Sequence, residues 1–308
     1  MRLLAALVAL TAATLAGAAA PAPVIAGCPV FPASNPWNQK VDTLPVAASS
    51  AQLIASIGVS GSVHADFGNG LYNGSRIGIP YVVVHAKSTP KSRVTFEYAD
   101  ESDKGPYPIP ANAPIEGAPQ HADQGDRHVV IVDRDACRLY ELSGIAKHNG
   151  TWSGWSGAIW NLRSNAVRPA GWTSADAAGL PILPGLARWE GDASTGAIKH
   201  ALRFTAERTR RAYIYPARHY ASSLTDPSLP PMGLRVRLKA GVNIAALPPQ
   251  ARIVAQALKT YGMILADNGS NWYLGGAPSP RWSNDQLHAL GGLTGADFEV
   301  VDTSKLRP

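Results

Sequence analysis

Residues 129–142, VVIVDRDACRLYEL, decide the class of fold. Val129-Val130-Ile131-Val132 reads as a strand, and Arg138-Leu139-Tyr140-Glu141-Leu142 as its partner. The polar run Asp133-Arg134-Asp135-Ala136-Cys137 between them has the composition of a hairpin turn. Working outward, Tyr81–Val84 is a buried-type run, and residues 93–98 alternate with Val94, Phe96 and Tyr98 on one face. Residues 158–162, 201–205, 212–215, 263–265, 272–274 and 298–301 add further short strands. Residues 234–239 (LRVRLK) predict one more, with three apolar residues inward and three cations outward. Residues 249–261 place Ile253, Val254, Ala257, Leu258 and Tyr261 on one helical face, and Gly262 follows where a C-terminal cap belongs. Residues 49–57 and 284–290 are shorter helix candidates. About ten short strands between Gly/Pro/Asn/Asp turns, with one or two helices, predict a mainly β sandwich or barrel, with an α+β arrangement as the variant.

The composition agrees. Charged residues are 16% of the 308, below the ~25% usual for globular chains, and there are 29 glycines and 25 prolines. Arg2, the apolar run 3–15 and the small residues Ala16-Gly17-Ala18 read as a secretory signal peptide over 1–18. Residues 19–48 read as an extended lead-in and 49–308 as a single β-rich domain. The apolar run of about 13 residues is shorter than the ~20 a spanning helix needs, so no transmembrane segment is expected. The expected location is secreted or periplasmic. Cys28 and Cys137 suggest one disulfide in such a compartment. The competing reading is a lipid anchor at Cys28, because Ile25-Ala26-Gly27-Cys28 has the look of a lipobox. The net charge of +6 is scattered, without a basic stripe interleaved with aromatics, so nucleic acid is not an expected partner.

Several chemistries lack their residues. No phosphate loop, dinucleotide fingerprint, nucleophile elbow or H-E-x-x-H helix occurs. Four other groupings offer acid–base chemistry. Asp100 and Glu101 end a strand before a Pro-rich loop. They could serve glycoside hydrolysis, which needs two carboxyl groups with separated pKa values, and the same letters suit a structural calcium. Trp172 beside Asp176 pairs an aromatic platform with an acid. Arg218, His219 and Tyr220 are the groups of a polysaccharide lyase, in which Arg neutralises a uronate and His or Tyr moves the proton. Asp267 and Asn268 follow a buried strand into a Gly turn. Beyond the calcium, no cofactor is expected. His64-Ala65-Asp66 and His121-Ala122-Asp123 are His-x-Asp pairs without evident further metal ligands.

Trp152, Trp155, Trp160, Trp172 and Trp189 crowd a Gly/Ser/Asn-rich region, and Trp272 comes later. Sugars stack on such rings, and Trp155, Trp172, Asn268 and Trp272 are the candidate substrate-binding residues. Residues 172–183 (WTSADAAGLPIL), 215–238 (YPARHYASSLTDPSLPPMGLRVRL) and 261–272 (YGMILADNGSNW) resemble a group of uncharacterised exported bacterial proteins. The resemblance covers nearly all of the chain beyond the signal. It implies a secreted domain and assigns no catalytic residue. The expectation is a carbohydrate-active enzyme on an extracellular polysaccharide, either a glycoside hydrolase or a polysaccharide lyase. The alternative is a non-catalytic glycan-binding or envelope-associated domain.

Overall fold

The computed structural model describes residues 22–121 and 123–306. The signal-peptide expectation falls on residues outside these. Two mixed sheets carry the fold. Their strands, in chain order, are β1 (His64–Asp66), β2 (Tyr81–Val84), β3 (Val129–Asp133), β4 (Arg138–Ser143), β5 (Ser156–Asn161), β6 (Leu202–Ala206), β7 (Arg235–Leu238), β8 (Met263–Asn268), β9 (Tyr273–Gly275) and β10 (Phe298–Val300). One sheet has the order β5-β4-β3-β2 and the other β10-β7-β8-β6-β9-β1. Neither closes into a barrel, and the fold is mainly β with three helices, α1 (Ser50–Ile57), α2 (Pro249–Thr260) and α3 (Asn284–His288).

The hairpin at 129–142 forms as expected, pairing Asp133 with Arg138 across the turn. Every residue of β3 is buried because the strand is covered on both faces. Val130 and Val132 pack with Leu139, Ile182, Leu183 and Leu186. Val129 and Ile131 face the other way, toward Tyr107, Tyr140, Leu142 and Ile145. The six-stranded sheet packs α1 and α2 into a separate core around Phe204, Val254, Leu258 and Trp272. Gly262 ends α2 with φ +64°, and a Cβ there would lie 2.3 Å from the Val236 carbonyl, so only glycine fits.

The arrangement includes parallel pairs, β2 with β3, β6 with β8, and β9 with β1. Two expectations need correction. Residues 212–215 make one isolated bridge, Tyr213 to Met232, and no strand. The cations of β7 do not face solvent. Arg235 is 2% and Arg237 9% exposed. Arg235 donates to the carbonyls of Tyr261, Pro36 and Gln39. Arg237 donates to those of Val41 and Leu44 and to the Glu299 carboxylate. The 36–44 segment covers the face that alternation alone assigned to water.

Cys28 and Cys137 form a disulfide, with Cα atoms 5.3 Å apart and a sequence separation of 109, and among the described residues no cysteine is free. Cys28 is therefore bridged to the β3–β4 turn. No helix among the described residues is long and apolar enough to cross a membrane. A bridge of this kind fits an oxidising compartment.

Candidate functional site

Where the two sheets approach, the loop after β5 carries Asp176 to the Arg203 guanidinium of β6. The Asp176 carboxylate accepts from Nη2 at 2.6 Å and from Nε at 3.0 Å, a bidentate pair with Asp176 fully buried. The loop is held by serines. Ser143 and Ser156 hydroxyls meet at 2.8 Å, Ser156 donates to the Ser174 carbonyl, and the Ser174 hydroxyl accepts from the Asp176 N–H. Gly275 on β9 makes room for the arginine, since a Cβ there would lie 2.8 Å from Arg203 Cγ.

Asp267 comes from the neighbouring strand. The β6–β8 register shifts between Phe204–Leu265 and Thr205–Asp267, so Ala266 is an extra residue that re-aims the strand end. Asp267 Oδ2 lies 4.0 Å from Arg203 Nη2. Burial, the adjacent Asp176 charge and a hydrogen bond to Asp176 raise the Asp267 carboxyl well above its ordinary range, while Arg203 opposes. Asp176 is thus the carboxylate bound bidentate by Arg203, and Asp267 the carboxyl whose affinity for a proton is raised.

Asp267 opens on a cavity of 190 Å³, also lined by Asp126, His128, Thr173, Tyr98 and Trp155. His128, at the foot of β3, is 3% exposed. Its Nδ1 meets Glu116 Oε2 at 2.6 Å and its Nε2 meets the Ala175 carbonyl at 2.9 Å. With an acceptor at each nitrogen the ring is an imidazolium. Burial opposes that charge, but the Glu116 carboxylate and its hydrogen bond overcome it, helped by Asp126 and Asp176, and hold the ring at about 10. Glu116, Asp126 and His128 have ligand atoms within 4.8 Å of one another. Both His128 nitrogens are already engaged, by Glu116 and by the Ala175 carbonyl. Behind them Glu141 is fully buried, accepting from the Ile182 and Leu183 N–H groups, and burial pushes it up to about 7.

The rim is aromatic. Trp155 is 41% and Tyr98 48% exposed. The Trp155 ring lies against Gly144, where a Cβ would come within 2.4 Å of it. Glu101 accepts from the Thr173 N–H at 2.8 Å and stands 3.9 Å from His219 Nε2. The structure therefore gathers Glu101, Asp176, His219, Asp267 and Trp155 near one cavity.

The remaining candidates are employed elsewhere. Asp100 is exposed on a 3-10 turn, Ala99–Glu101. Beside it, Glu101 accepts from the Thr173 N–H, and Asp103 accepts from Arg168 and from the Ile159 N–H. Arg218 donates from Nε to the Arg168 carbonyl, and Tyr220 accepts from Arg211. Trp172 packs under the Arg168 guanidinium. Asn268 ties its own turn to Ala206 and Thr209. Trp272 is fully buried, stacks on Phe204 and Phe298, and donates to the Gly58 carbonyl, so its ring offers no face to a ligand.

Arg203, His128, Glu116 and Asp126 were not singled out as catalytic from sequence. The one local signal was Asp126-Arg127-His128 set directly before an apolar strand. No family model, no curated protein and no solved structure matches the chain.

Proposed function

We propose that the protein is a glycoside hydrolase acting on an extracellular polysaccharide, with Asp267 as proton donor. The observation that carries the reading is a carboxyl raised well above its ordinary range by burial and by Asp176, at the wall of a cavity whose rim holds the exposed ring of Trp155. Asp176 and Asp267 stand at hydrogen-bond range of each other, whereas the two carboxyls of a glycosidase stand ~5–9.5 Å apart. They therefore act as one unit. Asp176, fixed by Arg203, sets the proton affinity of Asp267.

The second carboxylate is Asp126. It lines the same cavity and its charge reaches Asp267. It would act as nucleophile or as the base that activates water.

A lyase is the weaker reading. Arg218 and Tyr220 are held by the Arg168 carbonyl and by Arg211, and His219 Nδ1 by the Ala177 carbonyl. None of the three lines the cavity around Asp267.

The test is release of reducing ends from a panel of neutral and uronic polysaccharides, by wild type, Asp267→Asn and Asp126→Asn. Cleavage by wild type alone supports the assignment. Cleavage accompanied by unsaturated-uronate absorbance makes it a lyase. Retention on a polysaccharide without cleavage makes it a binding domain.

A further inference from the structure

Among the described residues every arginine withdrawn from solvent gives its guanidinium an acceptor, a carbonyl or a carboxylate, with one exception. The exception is Arg210. It is half-buried and its backbone N–H donates to the Pro230 carbonyl. Its guanidinium makes no hydrogen bond and no ion pair among the described residues, and its Nε is covered. A charged donor set taken from water without an acceptor loses hydration and gains nothing in return, so it marks a place where a partner is missing.

Arg210 lines a cavity of 340 Å³ on the six-stranded sheet. The other walls are mainly apolar: Leu53 of α1, Leu234 just before β7, Val300 of β10, and Ile214, the exposed one of the four. They are fixed in advance. The Val300 N–H donates to the Ser50 hydroxyl, the Ala47 N–H to the Val300 carbonyl, and the Ile214 N–H to the Met232 carbonyl. Asp302 is the one acid on the lining. It is exposed, and its carboxylate accepts from the Ser304 N–H. Arg208 and Arg211, both exposed, add positive charge on either side of Arg210 in the chain. The volume falls within the ~300–1,000 Å³ of ligand clefts, which are apolar with a few polar groups that orient the ligand.

We infer that this cavity binds a small carboxylate with an apolar body, of the medium-chain fatty acid kind. The carboxylate accepts from the Arg210 guanidinium, and the chain lies on the apolar walls. The cavity shares no lining residue with that of Asp267, so the site stands apart from the hydrolase reading.

The test is calorimetric titration of the full chain with octanoate, with octanol, which keeps the chain and lacks the charge, and with acetate, which keeps the charge and lacks the chain. Octanoate should saturate a single site, and the other two should bind at least tenfold more weakly. Arg210→Gln should weaken octanoate about tenfold, on the scale of a charged hydrogen bond, and leave octanol unchanged. Ile214→Ala, at an exposed wall position, should weaken octanoate and octanol alike, and it keeps the test open should Arg210→Gln fail to fold. Asp267→Asn should bind octanoate as wild type does. Octanoate binding no tighter than octanol would overturn the inference, as would wild-type affinity in both Arg210→Gln and Ile214→Ala. Loss of octanoate binding in Asp267→Asn would also overturn it, by placing the ligand in the other cavity.

Discussion

Nη2 of Arg203 stands 2.6 Å from Asp176 and 4.0 Å from Asp267, so one guanidinium sits at the head of a carboxyl pair. The asymmetry assigns the roles. The near carboxylate is held bidentate, and the far one, pushed well above its ordinary range by burial and by Asp176, opens on the cavity.

Substitutions should separate those roles. Asp267→Asn keeps a donor toward Asp176, so thermal stability should hold within a few degrees while cleavage falls about 10²–10⁴-fold, the scale of a lost general acid. Asp176→Asn leaves Arg203 buried without its anion and should cost about 3–5 kcal/mol, read from urea unfolding. Equal destabilisation by both variants would contradict the division.

The His128–Glu116 pair gives stability a signature in pH. The histidine is raised from 6.5 to about 10 in the fold. Its contribution is therefore complete below 6.5 and is lost as pH rises through about 10. Glu116 is depressed, so its contribution is present above the unfolded value of 4.5 and is lost on acidification below it. Urea midpoints measured from pH 6 to 10.5 should fall more steeply for wild type than for His128→Asn, which starts lower but does not titrate there. Parallel profiles would show that the imidazolium is not the group responsible.

Two tryptophans should respond in opposite ways. Trp155→Ala removes an exposed ring and should raise KM about tenfold, on the ~1–1.5 kcal/mol scale of ring stacking, with little change in stability. Trp272→Ala empties a stacked core position and should cost about 3–5 kcal/mol before any effect on substrate is seen. Comparing KM and melting temperature for the pair checks both.

Reduction tests the bridge. Closing 109 residues is worth up to about 4–5 kcal/mol in the chain-entropy model. Cys28→Ser/Cys137→Ser should lower stability toward that figure, and reductant should shift the wild-type midpoint by the same amount while leaving the double variant unmoved.

The parts of this fold that were legible in sequence are those whose signals are local. The 129–142 hairpin, helix 249–260 and its Gly262 stop are written in adjacent residues. So is the pairing of two cysteines, once only two are present. The site was half legible. Asp176 and Asp267 drew notice because a carboxylate after a tryptophan or a strand is conspicuous. Arg203 did not, because an arginine within a strand carries no mark of the aspartate 27 residues away that will hold it. Trp272 was misjudged for the related reason that an aromatic beside Asn and Ser reads alike on a surface and in a core. Arg235 and Arg237 followed a correct alternation, but a period of two tells only that two faces differ. It does not reveal that residues 36–44 will lie over the second.

That covering strap sets a limit on maturation. Four backbone carbonyls between Pro36 and Leu44 are the acceptors for two buried guanidiniums, and burial pushes one of these, Arg235, down to about 9. A protease that trimmed the chain past Pro36 would strand both cations in the interior, and one that cut past Cys28 would already have discarded the bridge. Any cut that spares the fold would therefore have to lie upstream of residue 28, and residues 28–44 are the last layer of the folded body.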